Sequence, residues 1–208
     1  MISNSNSKPQ NRQDFFNKVA PTWDKICYTP QLDNFLSELV PKFNITAGQS
    51  VLDVGTGTGV LIPFLLQAVG VKGHVTAVDF AEKMVEICKV KYAQHQNLVV
   101  TVRQVENLQL PEASFDVVVC FGLFPHLENK ELALTQLNRV LRVGGKLVIA
   151  HALSSQEIKS HHQHVAGIIA HDVLPCEFEM QCLLKKAGFT NIEIVDKTGC
   201  YFCLSIKA

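Results

Sequence analysis

The segment Val51-Leu-Asp-Val-Gly-Thr-Gly-Thr-Gly59 constrains this chain more than any other. Val51 to Val54 read as a buried strand that runs straight into glycines at every second position. The apolar run Val60 to Val69 then reads as a helix. A strand that breaks on glycines and reopens as a helix lets backbone approach a ligand closely, because no Cβ stands in the way. The spacing narrows the choice of ligand. The dinucleotide fingerprint G-x-G-x-x-G would put its third glycine at position 60, which is Val60. The pattern here is Asp-x-Gly-x-Gly-x-Gly, starting at Asp53. It argues against an NAD(P)-dependent oxidoreductase on a related fold, which stays as the weaker alternative.

Composition removes several other classes. Lys+Arg and Asp+Glu are both 19, so there is no basic excess of the kind a nucleic-acid binder carries. No run reaches the roughly 18 apolar residues of a membrane span. The start of the chain is rich in Ser and Asn and lacks the apolar core of a secretory signal. Seven cysteines form an odd set without framework spacing, which points to a reducing, cytoplasmic setting. Cys200 and Cys203 lie on a strand-like run, where residues three apart face opposite sides, so ordinary core packing is expected of them. The length suits one domain. Residues 1–13 are expected as a disordered tail and 14–208 as a single domain, with a helical cap over 14–45.

Beyond the cap, strand-like and helix-like segments alternate. Strands are expected at 51–54, 74–78, 98–102, 115–121, 146–150, 191–195 and 201–207. Helices are expected near 60–69, 81–95, 130–141 and 177–187. Most strands are continuous apolar runs, the mark of a sheet covered on both faces in a doubly wound α/β fold. The last two are joined by a Lys-Thr-Gly turn too short for a parallel crossover, so they must pair antiparallel.

Four ordered motifs carry a resemblance to class I S-adenosylmethionine (SAM) dependent methyltransferases. They are the glycine turn; Val78-Asp-Phe-Ala-Glu-Lys-Met-Val85; Val102-Arg-Gln-Val-Glu-Asn-Leu-Gln-Leu-Pro111; and Leu141-Arg-Val-Gly-Gly-Lys-Leu-Val-Ile149. Phe15-Phe-Asn-Lys-Val-Ala-Pro-Thr-Trp-Asp24 is similar to the start of the ubiquinone/menaquinone methyltransferase group. The resemblance implies a Rossmann-like, mostly parallel seven-stranded sheet with an antiparallel last strand. It also implies SAM at the carboxyl ends of the strands. Gly55, Gly57 and Gly59 would pass the amino acid part of SAM, and Asp53 its ammonium. Asp79 would take the ribose hydroxyls, and Phe80 and Met84 would flank the adenine. Gln104, Val105, Glu106 and Cys120 complete the expected contacts. Gln104 stands where the family usually has Asp; its amide oxygen is still able to accept a hydrogen bond from the adenine amine.

The acceptor side departs from the family. His126 follows strand four, beside the expected methyl position, and its ordinary pKa near 6.5 suits proton removal at neutral pH. His151 would end strand five facing the cleft, as a second catalytic candidate. Trp23, Tyr28 and Phe124 are candidates for substrate contact. The stretch 151–176 holds five of the eight histidines. Two functional readings of it compete, beside plain surface or packing histidines: a substrate lid, or a site for a divalent transition metal built from His151, His161, His162, His171 and Asp172. The expected activity is methyl transfer to a small-molecule acceptor. The alternative from another class is a non-catalytic or metal-handling protein with a degenerate SAM pocket. Acceptor identity and oligomeric state are not legible.

Overall fold

The computed structural model describes residues 11–164 and 167–208. Its centre is a seven-stranded sheet of β1 (Ser50–Val54), β2 (His74–Asp79), β3 (Leu98–Val102), β4 (Phe115–Phe121), β5 (Leu141–His151), β6 (Phe189–Lys197) and β7 (Cys200–Lys207). The strand order is β3-β2-β1-β4-β5-β7-β6. The first five strands pair in parallel, and β7 runs antiparallel to both β5 and β6. This is the α/β, doubly wound sheet expected, closed by the antiparallel pair that the short turn required. The order reverses between β1 and β4, where open α/β sheets bind ligands beyond their carboxyl ends.

Eight α-helices surround the sheet among the described residues: α1 (Arg12–Val19), α2 (Trp23–Cys27), α3 (Pro30–Leu39), α4 (Ile62–Val69), α5 (Glu82–Lys91), α6 (Lys130–Val140), α7 (Ser155–His164) and α8 (Glu177–Lys186). Alternate side chains of each strand enter different cores. Leu52 and Val118 face Leu134, Leu137, Met180 and Leu184 of α6 and α8. Val51 and Val117 face Leu36 of α3 and Ile62 and Leu65 of α4. Each such buried side chain contributes about 1.5–3 kcal/mol, and the two-sided burial explains why the strands read as unbroken apolar runs. Cys203 enters the first core and Cys200 the second, as their spacing on a strand demands.

Helices α1 and α2 are held differently from α3, the rest of the expected cap, whose Leu36 and Leu39 enter the core. Neither α1 nor α2 contains a buried residue. Asn11 caps α1 by accepting from the Asp14 N–H at 2.8 Å, so Arg12 and Gln13, expected in the tail, open the first helix instead. Residues 1–10 lie outside the described residues. Helix α5 has no side-chain cap of its own. Asn17 supplies one from α1, accepting from the Lys83 N–H at 2.9 Å. Gln13 donates to the Phe80 carbonyl at 2.8 Å. Side-chain hydrogen bonds and a small apolar contact around Ala20, Ala81 and Met84 therefore hold these two helices. Such an attachment opens at low cost.

The stretch 151–176 contains α7. Ser154 and Glu157 form its capping box: the Glu157 carboxylate accepts from the Ser154 N–H at 2.8 Å, and the Ser154 hydroxyl from the Glu157 N–H at 3.3 Å. Among the described residues no helix is long and apolar enough to cross a membrane.

Candidate active site

A cavity of about 580 Å3 lies beyond the carboxyl ends of β1, β2 and β4, roofed by α1 and α2. Its floor is the glycine turn. Gly57 sits at φ +54°, and a Cβ there would meet nothing closer than Trp23 Nε1, at 3.6 Å, so backbone and ligand have room to meet. Gly59, at φ +93°, does not line the cavity. Its Cβ would stand 2.5 Å from Tyr92 Cε2 and 2.8 Å from Cys88 Sγ, so it seats the turn on α5.

Asp79 closes the turn. Its carboxylate accepts from the Gly57 N–H and from the Ala81 N–H, each at 2.9 Å. Burial pushes its pKa up against the pull of those N–H groups. Asp53 sits beneath the turn, 2% exposed and outside the cavity lining. Among the described residues one of its oxygens has no hydrogen-bond partner, and neither has the Thr56 hydroxyl. Burial, opposed by Thr56 and reinforced by Asp79, raises the Asp53 pKa to about 7. Phe80, Met84, Gln104, Val105 and Glu106 line the same end of the cavity, and Gly55 lies nearby. Arg103, which the sequence reading did not single out, lines it too. It follows β3, and its N–H donates to the Asp79 carbonyl at 2.9 Å. Cys120 does not reach the cavity; it is fully buried in the sheet core.

The roof is latched to the floor. The Thr58 hydroxyl donates to Asp24 and lies 3.1 Å from the Tyr28 hydroxyl. Lys91 pairs with Asp24 at 2.9 Å and stands 4.4 Å over the Tyr28 ring. Trp23 and Tyr28 both line the cavity, whereas Phe124 turns into the core. Phe16, also missed in the sequence, joins the two ends. Its ring meets Trp23 at 6.0 Å, Phe80 at 5.7 Å and His126 at 5.4 Å, all edge-on.

His126 ends a short 3-10 turn after β4 and lines the cavity. Lys130 holds that turn by donating to the Leu127 carbonyl at 3.0 Å and the Pro125 carbonyl at 3.3 Å. His126 Nδ1 lies 2.7 Å from Asp172 Oδ2. Burial raises the Asp172 pKa, but the hydrogen bonds and charges of His126 and Arg12 outweigh it and hold the carboxyl below its usual range. An ionised carboxylate only accepts, so Nδ1 donates to it, and in its neutral form the ring carries its lone pair on Nε2.

The other histidines separate. His151 lies off the cavity at the end of β5, 7% exposed, and its Nε2 has no partner. Burial, then His126 and His162, lower its pKa to about 3, so it is neutral. His162 donates from Nδ1 to the Asp172 carbonyl at 2.6 Å. His161 and His171 are exposed. Among the described residues no group of three or more His, Cys, Asp or Glu converges to hold a metal. The metal set expected from sequence is therefore corrected: the Asp172 carboxylate is engaged by Arg12 and His126, and the histidines do not meet at one point.

The floor fits a ligand with the chemistry of SAM. Gly57 leaves room where a Cβ would intrude. Asp79 retains lone pairs for hydroxyls, and the Thr56 hydroxyl lines the cavity with polar capacity for an ammonium, whereas Asp53 lies beneath the turn, off the cavity, and reaches a ligand only through Thr56.

Comparison with known proteins agrees. A family described as "Methyltransferase domain" matches residues 51–145. A demethylmenaquinone methyltransferase of Staphylococcus saprophyticus is 30% identical over 224 residues, covering 95% of this chain and 96% of that protein. One from Staphylococcus haemolyticus is 30% identical over 226 residues, covering 95% and 93%. Among solved structures, a SAM-dependent methyltransferase from Aquifex aeolicus superposes with TM-score 0.70 at 23% identity, over 96% of this chain and 100% of that one. A phosphoethanolamine N-methyltransferase of Haemonchus contortus in complex with SAM gives TM-score 0.76 at 16% identity, over 94% of this chain and 58% of that one. At these identities the two structures speak for the fold alone. With that fold, the family match and the relatives define a Rossmann-like, SAM-dependent transferase. The chain belongs to the class I SAM-dependent methyltransferases, which sets aside the oxidoreductase and the non-catalytic readings.

Proposed function

We propose that the protein methylates a planar, small-molecule acceptor bearing an ionisable hydroxyl, the reduced form of a quinone of the kind named in its Staphylococcus relatives. One observation carries the reading: His126, with its Nε2 free, lines the same cavity as the Gly57–Asp79 floor, and the aromatic ring of Phe16 lies between them. SAM, when bound, supplies an activated methyl group for in-line transfer to a nucleophile. What the chain adds is alignment, a dry site and a base. Gly57, Asp79 and Phe80 would hold the cofactor. Phe16 and Trp23 would stack on the acceptor and exclude water, with cation–π attraction of about 0.5–2 kcal/mol toward a sulfonium. His126 Nε2 would take the proton that the acceptor hydroxyl gives up, a role worth roughly 10²–10⁴-fold in rate.

Trp23 is the only tryptophan of the chain and lies over Gly57. Titration with S-adenosylhomocysteine should therefore change its fluorescence with a dissociation constant in the micromolar range. Turnover should follow with a short-chain demethylmenaquinol and SAM. Absence of binding at millimolar S-adenosylhomocysteine would overturn the cofactor assignment. Binding without turnover of any quinol would overturn the acceptor class.

A further inference from the structure

Three segments far apart in sequence meet at one carboxylate oxygen. Asp172 Oδ2 accepts a hydrogen bond from Nδ1 of His126 at 2.7 Å and also pairs with Nη1 of Arg12, the first residue of α1. Glu128 steadies the same guanidinium through Nε at 3.2 Å. The Asp172 residue is only 5% exposed, so water is a poor substitute for either partner. Its backbone is pinned as well, since His162 donates to its carbonyl at 2.6 Å.

We propose that Asp172 is a positioning residue that couples closure of the α1 lid to the tautomer and basicity of His126, with Arg12 as the latch. The proposal rests on the reading of His126 as the base. Helix α1 has no buried residue and carries Phe16 over the cavity, so ligands enter and leave by its displacement. With α1 away, the Asp172 carboxylate serves His126 alone and binds its proton tightly. With α1 down, Arg12 shares the oxygen, draws off part of the negative charge and lowers the basicity of His126, so the closed site keeps the ring neutral with Nε2 free to accept the acceptor's proton. Asp172 still fixes the proton on Nδ1, so Nε2 stays free only while this contact holds.

The other charged or titratable groups packed near His126 do not have this geometry. Glu128 points at Arg12. Lys130 is spent on carbonyls. The His162 ring lies 4.9 Å from the His126 ring, tilted by 40°, with its Nδ1 committed to a carbonyl. His151 is buried and neutral, and His161 is 5.9 Å from the His162 ring. Asp79, Arg103 and Glu106 line the cavity with the cofactor floor.

Removal of Asp172 and removal of Arg12 predict opposite shifts of His126, which a merely structural role would not give. Long-range ¹H–¹⁵N spectra of the full chain saturated with S-adenosylhomocysteine report ring tautomer and titration, with His126 assigned from the His126→Gln spectrum. In the wild type His126 should be the Nδ1–H tautomer. In Asp172→Asn it should titrate about one pH unit lower and populate both tautomers, and kcat with the quinol should fall on the order of 10²-fold with KM little changed. In Arg12→Ala it should titrate higher while keeping the Nδ1–H tautomer, and Arg12→Lys should restore part of the wild-type value. Shifts of the same sign, or unchanged His126 titration in both variants, would overturn the coupling. Arg12 lies on a helix without buried residues, so its arm stands even where Asp172→Asn does not fold. Each sample's Trp23 binding curve is recorded first. Wild type that fails to bind S-adenosylhomocysteine refutes the cofactor reading, whereas bound samples with unshifted His126 refute only the coupling.

Discussion

Replacing Asp53 by Asn should stabilise the protein, and by an amount that depends on pH. Asp53 is fully enclosed beneath the glycine turn with one oxygen unpartnered, and burial lifts its pKa from 3.8 to about 7. The folded chain therefore holds a proton that the unfolded chain releases, and stability falls as pH rises. Below about pH 4 the group costs nothing. Between about pH 4 and pH 7 the cost grows, and above pH 7 it is complete. About three pH units at about 1.4 kcal/mol each give a full cost of about 4 kcal/mol. Of this, about 3 kcal/mol develops between pH 5 and pH 8.

An amide at position 53 has no charge to desolvate, and any change in its hydrogen bonding is the same at every pH. The difference between Asp53→Asn and wild type thus isolates the titration. Asp116 and Asp172, whose pKa values are lowered, contribute stability that is lost as pH falls, and they cancel in the same difference. Urea unfolding followed by circular dichroism at pH 5, 6, 7 and 8 should show the variant gaining on the wild type by about 3 kcal/mol across the series. For a chain of this length that corresponds to about 6–12 °C in Tm. A difference constant within about 0.5 kcal/mol over the whole range would refute the buried-carboxylate argument. Calorimetry of S-adenosylhomocysteine binding near pH 7 in two buffers then tests the ammonium role. Proton release in wild type and none in Asp53→Asn supports it, and equal release in both removes it.

Two further outcomes follow from the turn. Asp79→Asn turns one acceptor of the Gly57 and Ala81 N–H groups into a donor facing a donor, so it should cost about 2–4 kcal/mol in stability and at least about 10-fold in S-adenosylhomocysteine affinity; unchanged thermal unfolding and affinity would remove it from both tasks. Gly59→Ala combines left-handed backbone with a Cβ 2.5 Å from Tyr92 and 2.8 Å from Cys88, so it should destabilise by about 2–5 kcal/mol, whereas Gly122→Ala, at φ +68° with open space around it, should cost only about 1–2 kcal/mol; equal melting temperatures for the two would refute the packing role given to Gly59.

The local pattern of the chain determined the cofactor half of this protein. Continuous apolar strand runs, glycines at a strand end, an acidic residue closing the next strand and a turn too short for a crossover each act within a few residues, so the sheet, its antiparallel close and the Gly57–Asp79 floor were legible one segment at a time. Helix α7 was legible too, had the Ser154-x-x-Glu157 capping box been weighed over the histidines that follow it. The acceptor half was decided only by tertiary contact. His126 and His151 stand at comparable strand ends, yet one opens into the cavity and the other is sealed among Tyr201 and the α7 side. The Asp172 carboxylate belongs to neither a metal nor its own segment, because it meets His126 from 46 residues away and Arg12 from 160. A side chain's direction into or away from a cavity is set by what packs across it, and no spacing along the chain records contacts of that range.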